Sequence, residues 1–388
     1  MRNRRQMRRI KSSKISKTLI PNFARSDEEL RASIAERWDP GRNTPWRCFL
    51  ADIAERNVGD ALDALSAYPL FRLNYSVKTN PRDEMVALMH RNAVIAECIS
   101  AGECDQAREH GYEWHEITYN GPRVLREHRV NVAFADSVEA FGFYASRGEA
   151  MNVHGVRMRP HTIPSRFGVK QSELAQIAEI ARESSNVQEL GVSFFSPPEL
   201  FGERTWRDIA DEVMGYAVEL EALAEKPVVI FDLGAGFPPE QFVERFVSDY
   251  AHVSDVAPRR LEHLRHIYLE PGQELAQAVE AVFLRVLEVR SRDDGREIVV
   301  DGGEPQLPQI KSRSHRVFCN SPDGWVKLEG GADRIFGCIC TEDDVIRCDV
   351  RLPQHIAVGD VIAVADAGAY DSSMAFGFAQ GQPVPRDS

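Results

Sequence analysis

The chain lacks any apolar stretch near the roughly 20 residues that a membrane-spanning helix requires, so no membrane partner is expected. Cysteine is scarce: Cys48, Cys98, Cys104, Cys319, Cys338, Cys340 and Cys348 are odd in number and show no paired metal spacing. Neither a disulfide framework nor a metal site is expected, and free thiols in a reducing cytoplasm are the simpler reading. Acids are missing from residues 1–17, which carry eight Arg and Lys, although the whole chain has a net charge of −12. The acidic body argues against nucleic acid as the main partner. The basic start reads as a disordered tail, with a targeting peptide or a nucleic-acid contact as alternatives.

What is present is ample core material: 388 residues, 43% of them hydrophobic, enough for two domains. Strand-like runs at 72–78, 93–99, 116–120, 130–135, 151–158, 190–195, 227–233 and 266–270 alternate with helical spacing, as over Trp206–Ala224. Eight such repeats predict a (β/α)8 barrel over 44–275, with an open doubly wound sheet as the alternative. After residue 275 short strand-like runs separated by Gly- and Asp-rich turns predict an all-β sandwich or barrel domain over 276–388. Residues 18–43 are expected to pack on that domain.

Functional groups of a barrel gather where its strands end. Arg72-Leu-Asn-Tyr-Ser-Val-Lys78 puts a lysine at such an end, where lost hydration lowers the amine's pKa and prepares it for imine chemistry. Taken alone, Lys78 reads more readily as a surface lysine at a strand end. The seventh run closes on Asp232-Leu-Gly234-Ala-Gly236, a turn open to an anion, and the eighth on Glu270-Pro271-Gly272. The β region adds Asp301-Gly302-Gly303, Cys340-Thr-Glu342-Asp-Asp344 and Gly368-Ala-Tyr370, each of which is also readable as a turn or as packing.

In this order the segments resemble the fold-type III pyridoxal-phosphate-dependent decarboxylases, the ornithine, lysine and diaminopimelate group related to alanine racemase. The resemblance covers about residues 40–385. Tyr75-Ser-Val-Lys78-Thr-Asn80-Pro81 is similar to the cofactor-lysine motif, and Ile99-Ser-Ala-Gly102-Glu103 and Ser165-Arg-Phe167-Gly168 are similar to two further family segments. The resemblance implies pyridoxal 5'-phosphate as cofactor, a small amino acid substrate and a homodimer with shared active sites. It assigns the cofactor's imine to Lys78 and its pyridine nitrogen to Glu270. Its phosphate falls to Gly234, Gly236 and Tyr370, beside Gly272. The substrate falls to Asp301, Glu342 and Asp344, and a proton return from the partner chain to Cys340.

The chain also departs from the family pattern. Phe195 stands where a histidine usually stacks on the cofactor ring, and Pro197-Pro198 replaces Gly-Ser. Gln273 replaces an arginine, and Thr341 an acid. A phenylalanine can still stack, for about 0.5–1.5 kcal/mol, but donates no hydrogen bond. Loss of the arginine argues for ornithine, lysine or a conjugated amino acid of a siderophore or other secondary pathway over diaminopimelate. A racemase and a catalytically inactive decarboxylase-like regulator are the alternatives.

Overall fold

The computed structural model describes residues 23–147, 151–161, 163–195, 204–234 and 246–379. Eight parallel strands close into a barrel: β2 (Phe71–Ser76), β3 (Ile95–Cys98), β4 (Ile117–Tyr119), β5 (Val130–Ala135), β6 (Met151–Arg157), β7 (Leu190–Ser193), β8 (Val228–Asp232) and β9 (His266–Leu269). The closure that periodicity left open is settled by β9 pairing with β2, Phe71 opposite Ile267. The expected runs are trimmed at their ends, where the chain leaves the ladder to build loops.

Helices cover the barrel by burying one stripe each. In α7 (Trp206–Ala224), Ile209, Val213, Ala217, Leu220 and Ala224 recur at helical spacing and are buried. Thr205 caps its first turn and Asp208 reaches back, a reciprocal capping box.

The barrel interior is apolar below and polar above. Val132, Phe134, Val153, Ile230 and Tyr268 fill it. Phe134 lies where side chains at Gly155 and Gly191 would stand: a Cβ on those glycines would meet its ring at 2.4 and 3.2 Å. Phe134→Ala would empty the centre of this plug and is expected to cost about 3–5 kcal/mol, read from a denaturant melt. Above the plug, the C-terminal strand ends carry Glu97, Arg157, Asp232 and Glu270, all buried.

The second domain is an eight-stranded sheet. Its path runs β13 (Gly324–Lys327), β12 (Val317–Ser321), β16 (Val361–Val364), β10 (Glu280–Arg292), β11 (Gly295–Val300), β14 (Asp333–Phe336), β15 (Val345–Val350). A further strand, β1 (Trp46–Phe49), pairs with β10. Residues 46–49, which sequence reading places with the barrel, thus join the β sheet: Trp46 stacks on Phe283, centroids 4.8 Å apart. Helix α1 (Asp27–Arg37) is tied to the same domain through Asp27, whose carboxylate pairs with Lys327 at 2.8 Å and Arg316 at 3.2 Å. Among the described residues no helix is long and apolar enough to cross a membrane.

Candidate active site

Strand β2 stops at Ser76, and Val77–Thr79 form a 3-10 turn, so Lys78 stands two residues beyond the strand that was expected to run through it. Tertiary hydrogen bonds hold that turn out of the ladder. The Tyr75 hydroxyl donates to the Asn80 carbonyl at 2.9 Å, and the Tyr370 amide donates to the Thr79 carbonyl at 2.8 Å. Lys78 Nζ is thereby brought 3.1 Å from Glu97 Oε2, which also accepts the Ser76 hydroxyl at 2.6 Å. Parallel pairing sets this up, because Ser76 is the register partner of Glu97.

Desolvation pulls the Lys78 pKa down, as expected, but the charges of Glu97 and Glu270 and the Tyr370 hydroxyl outweigh it. The net shift is upward. The expectation of a depressed amine is therefore corrected: burial alone would lower it, and buried carboxylates reverse the sign.

Glu270 follows β9, and its amide donates to the Gly234 carbonyl at 3.1 Å. Asn120 Nδ2 donates to its carboxyl at 3.2 Å. Arg157 in turn donates through Nε to Asn120 Oδ1 at 3.0 Å and pairs with Asp136 at 3.3 Å. Burial pushes the Glu270 carboxyl well above the usual range, and Asp232 and Glu97 push it further, against the pull of Lys78. A group in this state takes a proton readily and keeps it.

Lys78, Glu97, Asn120, Arg157, Glu270, Gly272, Gln273 and Tyr370 line one cavity of about 290 Å³, with Phe167 and Phe195 at its edge. Phe195 is 38% exposed, available to stack. Gln273 spends its amide on Gln277 Oε1 at 2.9 Å. A larger groove of about 850 Å³ near Trp46 and Arg82 has no lysine, and its charges pair with one another, as in Arg82–Glu84 and Arg91–Glu55.

Five expected residues among those described do not line this chain's cavity, Gly234 being one. Asp301 accepts the Arg285 amide at 2.8 Å and the Thr44 hydroxyl. Asp344 is buried between Gly303 and Gly337 and accepts the Glu304 and Ile339 amides at 2.6 and 3.0 Å. Cys340 and Glu342 are exposed in the loop after β14. Gly236, Pro197 and Pro198 lie outside the described residues, as do 1–17. Sequence reasoning missed Glu97, Asn120 and Arg157. A lone acid inside the apolar run Val94-Ile-Ala-Glu97-Cys98 was the available signal for the first.

Pyridoxal phosphate fits this donor set. A primary amine and a buried carboxyl whose pKa is raised share the cavity with the Tyr370 hydroxyl. Gly272 approaches so closely that a Cβ would meet Thr79 Oγ1 at 2.1 Å, and that buried hydroxyl has no hydrogen-bond partner among the described residues. Gly234 has φ +61°, and a Cβ there would meet the Phe194 carbonyl at 2.7 Å.

A barrel-plus-β-domain fold with an amine and a carboxyl at the barrel mouth defines a class of enzymes, and comparison with known proteins places the chain within it. The sequence pattern described as "Pyridoxal-dependent decarboxylase, pyridoxal binding domain" matches residues 55–277, and the chain belongs to that family. It is a pyridoxal-phosphate-dependent amino acid decarboxylase. Among curated relatives, the diaminopimelate decarboxylase of Bacteroides thetaiotaomicron is 22% identical over 366 residues, covering 86% of this chain and 92% of the relative. The L-glutamyl-[BtrI acyl-carrier protein] decarboxylase of Niallia circulans is 24% identical over 385 residues, covering 88% and 87%. Among solved structures, lysine decarboxylase from Selenomonas ruminantium superposes with a TM-score of 0.72 at 20% identity, covering 92% and 94%.

The site also carries a pH signature. Burial pushes Glu103 up to about 7 and Glu97 adds to it, while the Ile99 amide, donating at 2.7 Å, and Lys78 pull the other way. The folded chain therefore binds this proton more tightly than the unfolded one. The associated stability is complete below the unfolded value of 4.5 and is lost as pH rises through about 7. Between pH 5 and 8 the cofactor-free chain is expected to lose up to about 2–3 kcal/mol from this group. Glu103→Gln should flatten that slope in melts across the range.

Proposed function

We propose that the chain decarboxylates an amino acid carrying a second amino or polar group, with Lys78 as cofactor anchor and Glu270 as partner of the ring nitrogen. Ornithine, lysine and a conjugated amino acid of a secondary pathway are the candidates. The observation that carries this reading is that Lys78 and Glu270 line one cavity of about 290 Å³. When bound, pyridoxal phosphate supplies an electron sink for the pair left on the α-carbon as CO2 departs. The protein's own groups do the rest. Glu97 accepts the proton that Lys78 Nζ must shed to become a nucleophile. Glu270, braced by Asn120 and Arg157, holds a proton at its carboxyl toward the ring nitrogen. Gly234, Gly236, Gly272 and Tyr370 hold the anionic end, and Phe195 shields one ring face from water.

Gln273, neutral and bonded to Gln277, supplies no cation to the cavity where the family's arginine would, favouring substrates without a second free carboxylate. The conjugated substrate in the Niallia enzyme's name makes a tethered amino acid a candidate here. A mass-spectrometric screen of candidate amino acids for loss of CO2, with and without pyridoxal phosphate, tests this; no cofactor-dependent loss from any candidate would overturn it.

We further propose a cytoplasmic homodimer in which the partner lends Cys340 as proton donor to the α-carbon, with Asp301, Glu342 and Asp344 near the substrate's far end. That Cys340 is exposed and outside its own chain's cavity supports this. Mixing Lys78→Ala with Cys340→Ala chains should restore about a quarter of the wild-type rate, because random pairing across a two-fold interface rebuilds that share of sites. Absence of rescue would place the site within one chain.

A further inference from the structure

Tyr370 is an aromatic residue in a left-handed backbone conformation, φ +65°. Side chains with a Cβ adopt that region at a cost, so something must hold it there. Its amide is bonded to Thr79, next to Lys78, which fixes one side. The other side is fixed by a buried polar group from elsewhere in the β domain. The Asp371 carboxylate, fully buried, accepts His315 Nε2 at 2.9 Å, Arg313 Nη2 at 3.0 Å and the Gln309 amide at 2.9 Å. Arg313 Nη2 also donates to the Ala369 carbonyl. The residues before and after Tyr370 are thus gripped by one guanidinium. His315 is as deeply buried as Asp371, and neither reaches the cavity that Lys78 lines.

We propose that Arg313, His315 and Asp371 are positioning residues that clamp the backbone on both sides of Tyr370 and so set the affinity of the site for the phosphate of its cofactor. This rests on the reading above that Tyr370 holds that phosphate. A buried, multiply bonded carboxylate resists movement because each lost partner leaves a desolvated charge. The clamp therefore transmits rigidity to the one side chain between its two grips.

The experiment is a double-mutant cycle read by pyridoxal phosphate titration of full-length protein, followed by absorbance of the bound cofactor. Tyr370→Phe should weaken binding by about tenfold, one hydrogen bond to a charged group. Asp371→Asn should weaken it by a similar factor, with kcat at saturating cofactor within a few-fold of wild type. The double variant should bind no worse than Tyr370→Phe alone, because the clamp acts only through that hydroxyl. Losses that multiply in the double variant, or wild-type affinity in Asp371→Asn, overturn the proposal. Should Asp371→Asn fail to fold, Arg313→Gln, which removes the guanidinium that grips both Ala369 and Asp371, takes its place in the cycle with the same expected and overturning outcomes. A wild-type chain that shows no cofactor absorbance would instead defeat the assignment of Lys78 and Tyr370 to the cofactor, a result distinct from multiplicative losses.

Discussion

Lys78→Ala is expected to abolish the absorbance of the bound cofactor and to lower decarboxylation by on the order of 10³-fold or more. Among the described residues no other lysine lines the cavity, so none of them offers a replacement amine. The substitution also leaves Glu97 buried with, among the described residues, the Ser76 hydroxyl as its one remaining side-chain partner, and loss of activity could then be charged to a collapsed site. Lys78→Arg separates the two causes. A guanidinium still pairs with Glu97 but stays protonated and forms no imine. Lys78→Arg should therefore melt close to wild type while remaining as inactive as Lys78→Ala. Retention of cofactor absorbance in either variant would move the anchor elsewhere. Because Glu97 holds Lys78 in its charged form, loading should quicken as pH rises, and Glu97→Gln, which removes that charge, should quicken it at neutral pH. Stopped-flow absorbance on mixing cofactor-free protein with pyridoxal phosphate measures both.

Much of the barrel was legible because its strands bury both faces and read as apolar runs between helical stripes. All eight runs correspond to barrel strands. Elements with weak contrast were not legible. The helix Val138–Ala145 is apolar around most of its circumference and shows no clean stripe. Strand β1 could not be assigned to its sheet, since its pairing with β10 joins residues over 230 positions apart. At the site, Lys78 and Glu270 announce themselves by lying where strands end. Asn120 and Arg157 also stand at strand ends, but their meaning arises only when three strands bring them to one carboxyl. The sign of the Lys78 shift was illegible for the same reason: desolvation follows from burial, while its opposition comes from acids on other strands.

Glu270→Gln is the second large expected effect: a fall in kcat of about 10²–10³-fold with cofactor absorbance retained. The amide fills the same space and still meets Asn120, so the cavity survives. What is lost is a group able to hold a proton toward the ring nitrogen and to become negative opposite a positive ring. That charge matters most when the electron pair from CO2 loss must be drawn away from the α-carbon, so the loss falls on the chemical step and KM should move little. The surroundings of Glu270 sharpen the test. Its nearest donor is the neutral amide of Asn120, not Arg157, which is held one step back by Asn120 and Asp136. Asn120→Ala would remove that spacer and leave Glu270 without its brace; a fall in kcat of about tenfold is expected, smaller than for Glu270→Gln, because the acid itself remains. If Glu270→Gln turned over within threefold of wild type, the ring nitrogen would not depend on this carboxyl. The ring nitrogen's proton would then depend on another group, and Asp232, buried beside Glu270, would be the next acid to replace.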